Sequence, residues 1–181
     1  MSIEPVHRKF PKVPIERRAA AFAIDFVVVW LVSSIFRGNA PGISLLQMLV
    51  FILLWLALRV ILVLKNQGQS LGHLALDMKV LDAKYSRIPG VLMLMKREGI
   101  LGFCSLLAMI GLTIGLANGI SLLILTAPLA ADCGMALADQ EARQAFHDRV
   151  ANTIMIQTRR GFSLDLRIKK VFAQIKRRMR Q

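Results

Sequence analysis

The chain is poor in the side chains that catalysis and metal binding use. It has only two cysteines and three histidines, at Cys104, Cys133, His7, His73 and His147. The cysteines lie in apolar segments outside any CxxC spacing, and the scattered histidines form no ligand set for zinc. A glycine-rich phosphate loop, a nucleophile elbow and an HExxH motif are also missing. The sequence therefore predicts a protein that is not an enzyme and holds no metal or cofactor.

Acidic residues are also few. The chain has 11 Asp+Glu against 24 Lys+Arg, a formal net charge of +13, which in a soluble protein would indicate nucleic-acid binding. However, 55% of the residues are hydrophobic, the mean hydropathy is +0.55, and the apolar residues are grouped in long blocks. Because the basic residues flank these blocks, we expect them to set membrane topology and to contact anionic lipid headgroups. We expect no nucleic-acid partner.

The apolar blocks predict membrane spans. A helix needs about 20 apolar residues to cross a bilayer core of roughly 30 Å. As one helix, the run Ile100–Ala138 would measure about 58 Å, so we expect a turn at Asn118-Gly119 and either two spans or a re-entrant pair. The predicted spans are residues 19–36, 43–64, 100–117 and 119–138.

The distribution of basic residues predicts the topology. Residues 1–18, a basic lead-in, carry five Lys/Arg, the loop 65–99 carries six, and the chain after Ala138 carries eleven, whereas the short loop 37–42 carries one. All three basic regions lie on the cytoplasmic side only if the number of crossings is even. We therefore expect four spans with both termini in the cytoplasm.

Two short segments and the tail complete the expected fold. Leu76–Asp82 and Asn152–Thr158 have strand-like patterns, and we expect them to pair as a small cytoplasmic sheet. In the tail, residues 159–181, apolar residues recur at helical spacing opposite a basic face, which is typical of an amphipathic helix on a membrane surface or against a partner subunit. Its expected lipid contacts are Lys169, Lys170, Lys176, Arg177, Arg178 and Arg180. The predicted fold class is an all-α membrane bundle with this β pair and interfacial helix.

Three ionisable residues lie inside the predicted spans at one depth. Asp25, Arg59 and Asp132 are each about 7–9 Å from the cytoplasmic end of their helix at 1.5 Å per residue. Because an unpaired charge at that depth is costly, we expect Asp25 to face Arg59, with Asp132 nearby. Arg18 and Asp148 would close this layer at its cytoplasmic side. The alternatives are that Arg59 and Asp132 reach water separately, and that Arg18 is only an interface anchor.

Several segments together resemble the RDD family of small bacterial integral membrane proteins. They are the run from Arg18 to Asp25, the turn Gly68–Gly72 followed by Met78–Asp82, and the element His147–Thr153. In order and spacing they cover roughly residues 15–158. The resemblance is specific because the whole set occurs, whereas any one segment alone would be weak.

The resemblance implies particular residues and a broad role. Arg18, Asp25 and Asp148 would be the family's name-giving residues. The molecular role of the family is mostly unassigned, and the resemblance suggests transport of ions or small ligands. The chain departs from the family at His73 and Asp77, where the family tends to have a basic residue and a glycine.

Two functions remain open from the sequence. The first is a proton- or cation-coupled transporter of an energised membrane, acting as a homo-oligomer because four helices barely enclose a path. In it, Asp25 would be the ion or proton site. The second is an accessory or assembly subunit that packs on a larger membrane complex, where Asp25 would only be a paired structural carboxylate. The small number of polar residues in the spans favours the second function, and the resemblance favours the first.

Overall fold

The computed structural model describes residues 11, 13–38, 44–115, 119–139 and 143–158. These residues are mostly helical. The helices are α1 (Ile15–Ser34), α2 (Leu45–Lys65), α3 (Leu71–Ala75), α4 (Val91–Gly115), α5 (Gly119–Ala138) and α6 (Phe146–Val150). The strands are β1 (Met78–Asp82) and β2 (Thr153–Gln157). The tail 159–181, with its predicted amphipathic helix and lipid-contacting lysines and arginines, lies outside the described residues.

Three helices, α2, α4 and α5, are long and apolar enough to cross a membrane. The predicted break between the last two spans is present, because α4 ends at Gly115 and α5 begins at Gly119. The helix that contains most of the predicted span 100–117 begins earlier, at Val91, and carries Arg97 and Glu98 inside it. These charges interrupt the apolar run in sequence, but in the structure they are buried and paired, so the helix continues through them.

The first helix, α1, begins and ends earlier than the predicted span. It starts at Ile15, directly after Pro14, and ends at Ser34. Proline is well tolerated at a helix start, because the N–H groups there have no partner within the helix and proline has no N–H to leave unpaired. The buried residues Ala21, Asp25, Phe26, Val29 and Ser33 follow helical spacing and mark the face that packs on the bundle.

The bundle core is aromatic and tightly packed. Phe51 stacks on Trp55 with ring centroids 5.8 Å apart, and Phe22 packs edge-on against Trp55. A Cβ at Gly102 of α4 would lie 2.8 Å from the Trp55 ring, so glycine allows α2 and α4 to approach here. The outer faces carry exposed apolar side chains, as a lipid-facing surface requires, for example Leu49, Leu53, Ile120, Leu123 and Ile124.

The turn Gly68–Gly72 fixes the segment between α2 and β1 against α1. Gly68 has a φ of +88°, and a Cβ there would lie 2.5 Å from the Val80 carbonyl oxygen. The Ser70 hydroxyl caps α3 by accepting a hydrogen bond from the His73 amide. A Cβ at Gly72 would overlap the Ala21 carbonyl oxygen, so only glycine lets α3 pack directly on α1.

The predicted β pair is present and slightly shorter than expected. β1 and β2 are antiparallel, with Met78 opposite Gln157 and Asp82 opposite Thr153. Its buried side chains pack near α1, since Met78, Val80 and Met155 share a cluster with Ala21. The sheet therefore joins the chain that follows α2 to the chain that follows α5.

Candidate functional site

Asp25 lies on the face of α1 that packs against α2 and α3, and it is fully buried. Its carboxylate accepts hydrogen bonds from the Ser70 hydroxyl at 2.6 Å, the Gly72 amide at 2.7 Å and Arg59 Nη1 at 2.6 Å. The turn that holds α3 against α1 thus also supplies two of the donors to Asp25. The predicted pairing of Asp25 with Arg59 is confirmed, and both carboxylate oxygens are satisfied.

Arg59 is only 1% exposed and does not reach water. Its Nε and Nη2 atoms donate to the two oxygens of Glu98 at 3.0 and 3.3 Å. It lies within a π-helical turn of α2, Ala57–Ile61, and its guanidinium lies 5.5 Å from the centre of the Trp55 ring. π-Turns often occur at functional sites because they redirect a side chain. Here the turn presents Arg59 to two carboxylates at once.

Arg97 and Glu98 are the site residues that the sequence analysis missed. Both are 1% exposed. Arg97 donates to Glu98 through Nη1 and to Asp148 Oδ1 through Nε at 2.8 Å. Its Nη2 atom contacts only the Met155 sulfur, at 3.7 Å. In the sequence, these two residues form an adjacent Arg-Glu pair next to an apolar run. That pattern is compatible with a polar loop and also with an ion pair buried inside a helix.

Asp148 receives two arginines. Arg18 donates to it through Nη2, and also to the Arg143 carbonyl oxygen through Nη1. The Thr153 hydroxyl donates to Asp148 Oδ1 at 3.1 Å. Burial alone would raise the pKa of Asp148, but His147, Arg97 and Arg18 hold the pKa well below its ordinary value. Asp148 therefore stays ionised.

Asp132 is placed differently from the prediction. It is buried on α5, but its partner is His147, not Asp25 or Arg59. The His147 amide donates to Asp132 Oδ1 at 2.9 Å, and the ring Nδ1 pairs with Oδ2. The other ring nitrogen lies 3.7 Å from Asp148 Oδ1. Asp132 thus joins the other charges only through the imidazole of His147, a residue that the sequence analysis left without a role.

These contacts form one continuous ion-pair chain across α1, α2, α4, α5 and α6. Along it the arginines alternate with carboxylates, which keeps each buried charge next to an opposite one. Its members are Asp25, Arg59, Glu98, Arg97, Asp148 and Arg18, with Asp132 attached through His147. Three arginines face four carboxylates, so the chain is neutral when His147 is protonated and carries one negative charge when it is not.

A cavity of about 340 Å³ adjoins the ion-pair chain. Its walls are mainly apolar, from α1, α4 and α5. At one end it reaches cationic and imidazole side chains, namely Arg18, Arg59, Arg97, His73 and His147. Among the residues that the structure describes, no carboxylate lines this cavity, because the carboxylates lie behind the arginines.

His73 and Asp77, the two departures from the family pattern, both have a structural account. The His73 ring Nδ1 accepts a hydrogen bond from the Ser70 amide. Burial lowers the pKa of His73 well below its ordinary value, and Arg59 and Arg97 lower it further. Asp77 has a φ of +53°, a conformation that glycine adopts freely and aspartate tolerates better than most residues. The backbone that the family's glycine would favour is thus retained.

Comparison with known proteins identifies the family. Across the described residues, no group of three or more His, Cys, Asp and Glu could hold a metal ion. No curated protein and no solved structure matches the chain significantly. The family model described as RDD family matches residues 12–152, which include the whole ion-pair chain. With more than half of its length matched and several apolar helices of membrane-spanning length, this chain belongs to the RDD family of membrane proteins.

Proposed function

We propose that this protein is a non-enzymatic, proton-coupled transporter of a small solute, with four spans and both termini in the cytoplasm. The observation that carries the proposal is that the cavity meets the ion-pair chain at His147. This side chain lines the cavity and bridges Asp132 and Asp148. A solute in the cavity would therefore act on the group whose proton sets the charge of the chain.

Proton coupling fits this site better than cation coupling. A sodium or potassium ion needs oxygen ligands that face the cavity. The carboxylates of the described residues are instead held by arginines, and both oxygens of Asp25 are already satisfied. The polar side chains that line the cavity therefore offer hydrogen-bond donors rather than oxygen ligands for a metal cation.

The proposed topology requires α1 to be the fourth span. From Ala19 to Ser34 this helix would cover about 24 Å, somewhat less than a typical bilayer core, which local thinning can accommodate. Its one buried carboxylate, Asp25, is neutralised by Arg59, so its charge does not prevent insertion. Reporter fusions after residues 40, 80, 118 and 160 should give outside, inside, outside and inside. An outside C-terminus would contradict the even number of crossings.

Flux through proteoliposomes tests the transport role. Vesicles that contain the purified protein and internal pyranine receive a pH gradient in the presence of acetate, inorganic phosphate or dodecyl phosphate in turn. Sodium and potassium serve as control cations that should have no effect. At least one solute should speed the change of internal pH above the protein-free rate. His147→Gln should abolish this effect, whereas Lys84→Gln, at an exposed residue after β1, should not. The proposal fails if every solute gives the protein-free rate.

A second function, an accessory subunit of a larger membrane complex, is favoured by the exposure of α5. Only 11% of its most apolar stretch is buried within the protein, compared with 44% for α4. Such a face suits contact with another protein as well as with lipid. Mild detergent extraction followed by size and mass analysis discriminates the two functions. A stoichiometric larger partner would support the accessory role, and a homo-oligomer alone would support transport.

A further inference from the structure

The cavity beside the ion-pair chain is polar at one end and apolar at the other. On α1, Phe22 follows Arg18 by one helical turn, and on α4, Leu101 follows Arg97 by one turn. All four residues line the cavity, so both helices change from a cationic to an apolar wall in the same direction. Leu129 of α5 continues the apolar wall.

The cavity is also elongated and open on one side. On α5 its lining runs from Thr126 to Ala136, a length of about 15 Å along the helix. α1 and α5 make little direct contact with each other. The lining residues Ala19, Ala130 and Cys133 are exposed, so small side chains from both helices surround the opening. An apolar chain can enter there from the bilayer side of the bundle.

Two hydrogen-bond donors at the polar end lack a strong acceptor. Arg97 is 1% exposed, and among the described residues the acceptor that its Nη2 atom meets is the Met155 sulfur, a weak one. The ring Nδ1 of His73 accepts from the Ser70 amide, so the neutral imidazole carries its proton on Nε2. Within the described part of the chain, no acceptor meets that N–H. Both side chains line the cavity, so an acceptor bound there would satisfy these donors.

We propose that this cavity binds an amphiphilic anion, a molecule with one apolar chain that ends in a phosphate or carboxylate. The headgroup lies on Arg97 and His73 with Arg18 beside it, and the chain lies along Phe22, Leu101 and Leu129. The Nε and Nη1 atoms of Arg97 already donate to Asp148 and Glu98, and its Nη2 atom is the one that can donate a charge-assisted hydrogen bond to such an oxyanion. The inference rests on the proposed function in that it names the ligand class of the same site.

Protection of Cys133 from a maleimide measures this binding directly. The full-length protein with Cys104→Ala, in an uncharged maltoside detergent, keeps one thiol at the cavity opening. Dodecyl phosphate at ten times its Kd should slow the labelling about tenfold, because only the unoccupied fraction reacts. Dodecanol, dodecyltrimethylammonium and inorganic phosphate at the same concentration should leave the rate unchanged. Equal protection by the cation would overturn the choice of an anion, and protection by inorganic phosphate would overturn the need for an apolar chain.

A matched pair of variants separates the cavity from the micelle. Ala130→Phe places a large side chain in the cavity, whereas Ala127→Phe adds the same group to an exposed position of α5 outside the lining. Dodecyl phosphate should raise the Tm of the parent protein and of Ala127→Phe, but not that of Ala130→Phe. Equal shifts in all three, or none in the parent, would refute the site. The labelling and Tm assays use no pH gradient, so they report binding and not transport. An absence of binding in them would overturn this inference. Binding without flux in proteoliposomes would overturn only the transport role.

Discussion

Asp25 and Arg59, 34 residues apart in sequence, meet at 2.6 Å in the interior of the bundle, where neither reaches solvent. The pair does not stand alone. Arg59 also binds Glu98 through two hydrogen bonds, and Asp25 also binds Ser70 and Gly72. Each residue therefore makes further hydrogen bonds that an exchange of the two side chains would break.

The first prediction concerns substitutions of Arg59 and Asp25 and follows from these additional hydrogen bonds. Arg59→Gln should lower the free energy of unfolding by about 3–5 kcal/mol, because it leaves buried Asp25 without its cation and Glu98 with Arg97 alone. Asp25→Asn should cost less, since Arg59 keeps Glu98. The exchange Asp25→Arg with Arg59→Asp should rescue little, because the carboxylate introduced on α2 would face Glu98. Thermal unfolding in detergent measures all of these, and substantial rescue by the exchange would contradict the described network.

The second prediction concerns the contact between α3 and α1. Gly72→Ala should destabilise the protein by about 1–3 kcal/mol, because the added methyl group collides with the Ala21 carbonyl oxygen. Gly99→Ala is the matched control, since a Cβ there meets no atom within 4 Å and lies in the middle of α4. It should stabilise the helix by roughly 0.5–1 kcal/mol. Equal Tm values for the two variants would show that α3 does not pack on α1 this closely.

The third prediction is a dependence of stability on pH through His73. Burial, with Arg59, Arg97 and Arg18, lowers the pKa of His73 in the folded state, opposed only by Asp148. The unfolded chain therefore binds a proton below about pH 6.5 that the folded protein does not, and stability should fall by up to about 1.4 kcal/mol per pH unit.

The check for His73 compares the parent with His73→Asn, which keeps an acceptor close to the Ser70 amide. Tm is measured from about pH 7.5 to about pH 5, a range that brackets the ordinary histidine pKa, in one detergent. The parent should lose stability over the lower part of this range, and the variant should lose less. The same slope in both proteins would assign the effect to another group.

The fourth prediction uses the backbone at Asp77. With a φ of +53°, this position should accept Asp77→Gly with a change in stability within about 0.5 kcal/mol. Asp77→Val should cost about 1–2 kcal/mol, because a β-branched residue strains this conformation. The Tm values of the two variants check this, and a tolerated valine would mean that the backbone changes its conformation there.

Much of this fold was predictable from sequence because depth in a membrane can be counted along a helix. Asp25 and Arg59 are at similar distances from their helix ends, and that count was enough to pair them. The same method failed for Arg97 and Glu98, because it takes helix ends from where the apolar run stops. A buried ion pair stops the run without ending the helix.

Other features depend on contacts that no local pattern contains. The partner of Asp132 is His147, which lies in the short helix α6 after the fourth apolar block, so helix depth gives no information about it. The role of Gly72 depends on the carbonyl oxygen of Ala21, a residue on a different helix far earlier in the chain. The cavity depends on α1 and α5 failing to pack against each other, which is a property of the whole bundle.

The antiparallel sheet also has a consequence for biosynthesis. β1 is made soon after α2, whereas β2 and Asp148 belong to the last described segment of the chain. While the ribosome is still producing that segment, Arg18 and Arg97 are in place without the carboxylate they share. In a nascent or truncated chain that lacks Asp148, three arginines of the network therefore face only Asp25 and Glu98, which leaves one excess positive charge. That excess charge inside the bundle distinguishes an unfinished molecule from a complete one.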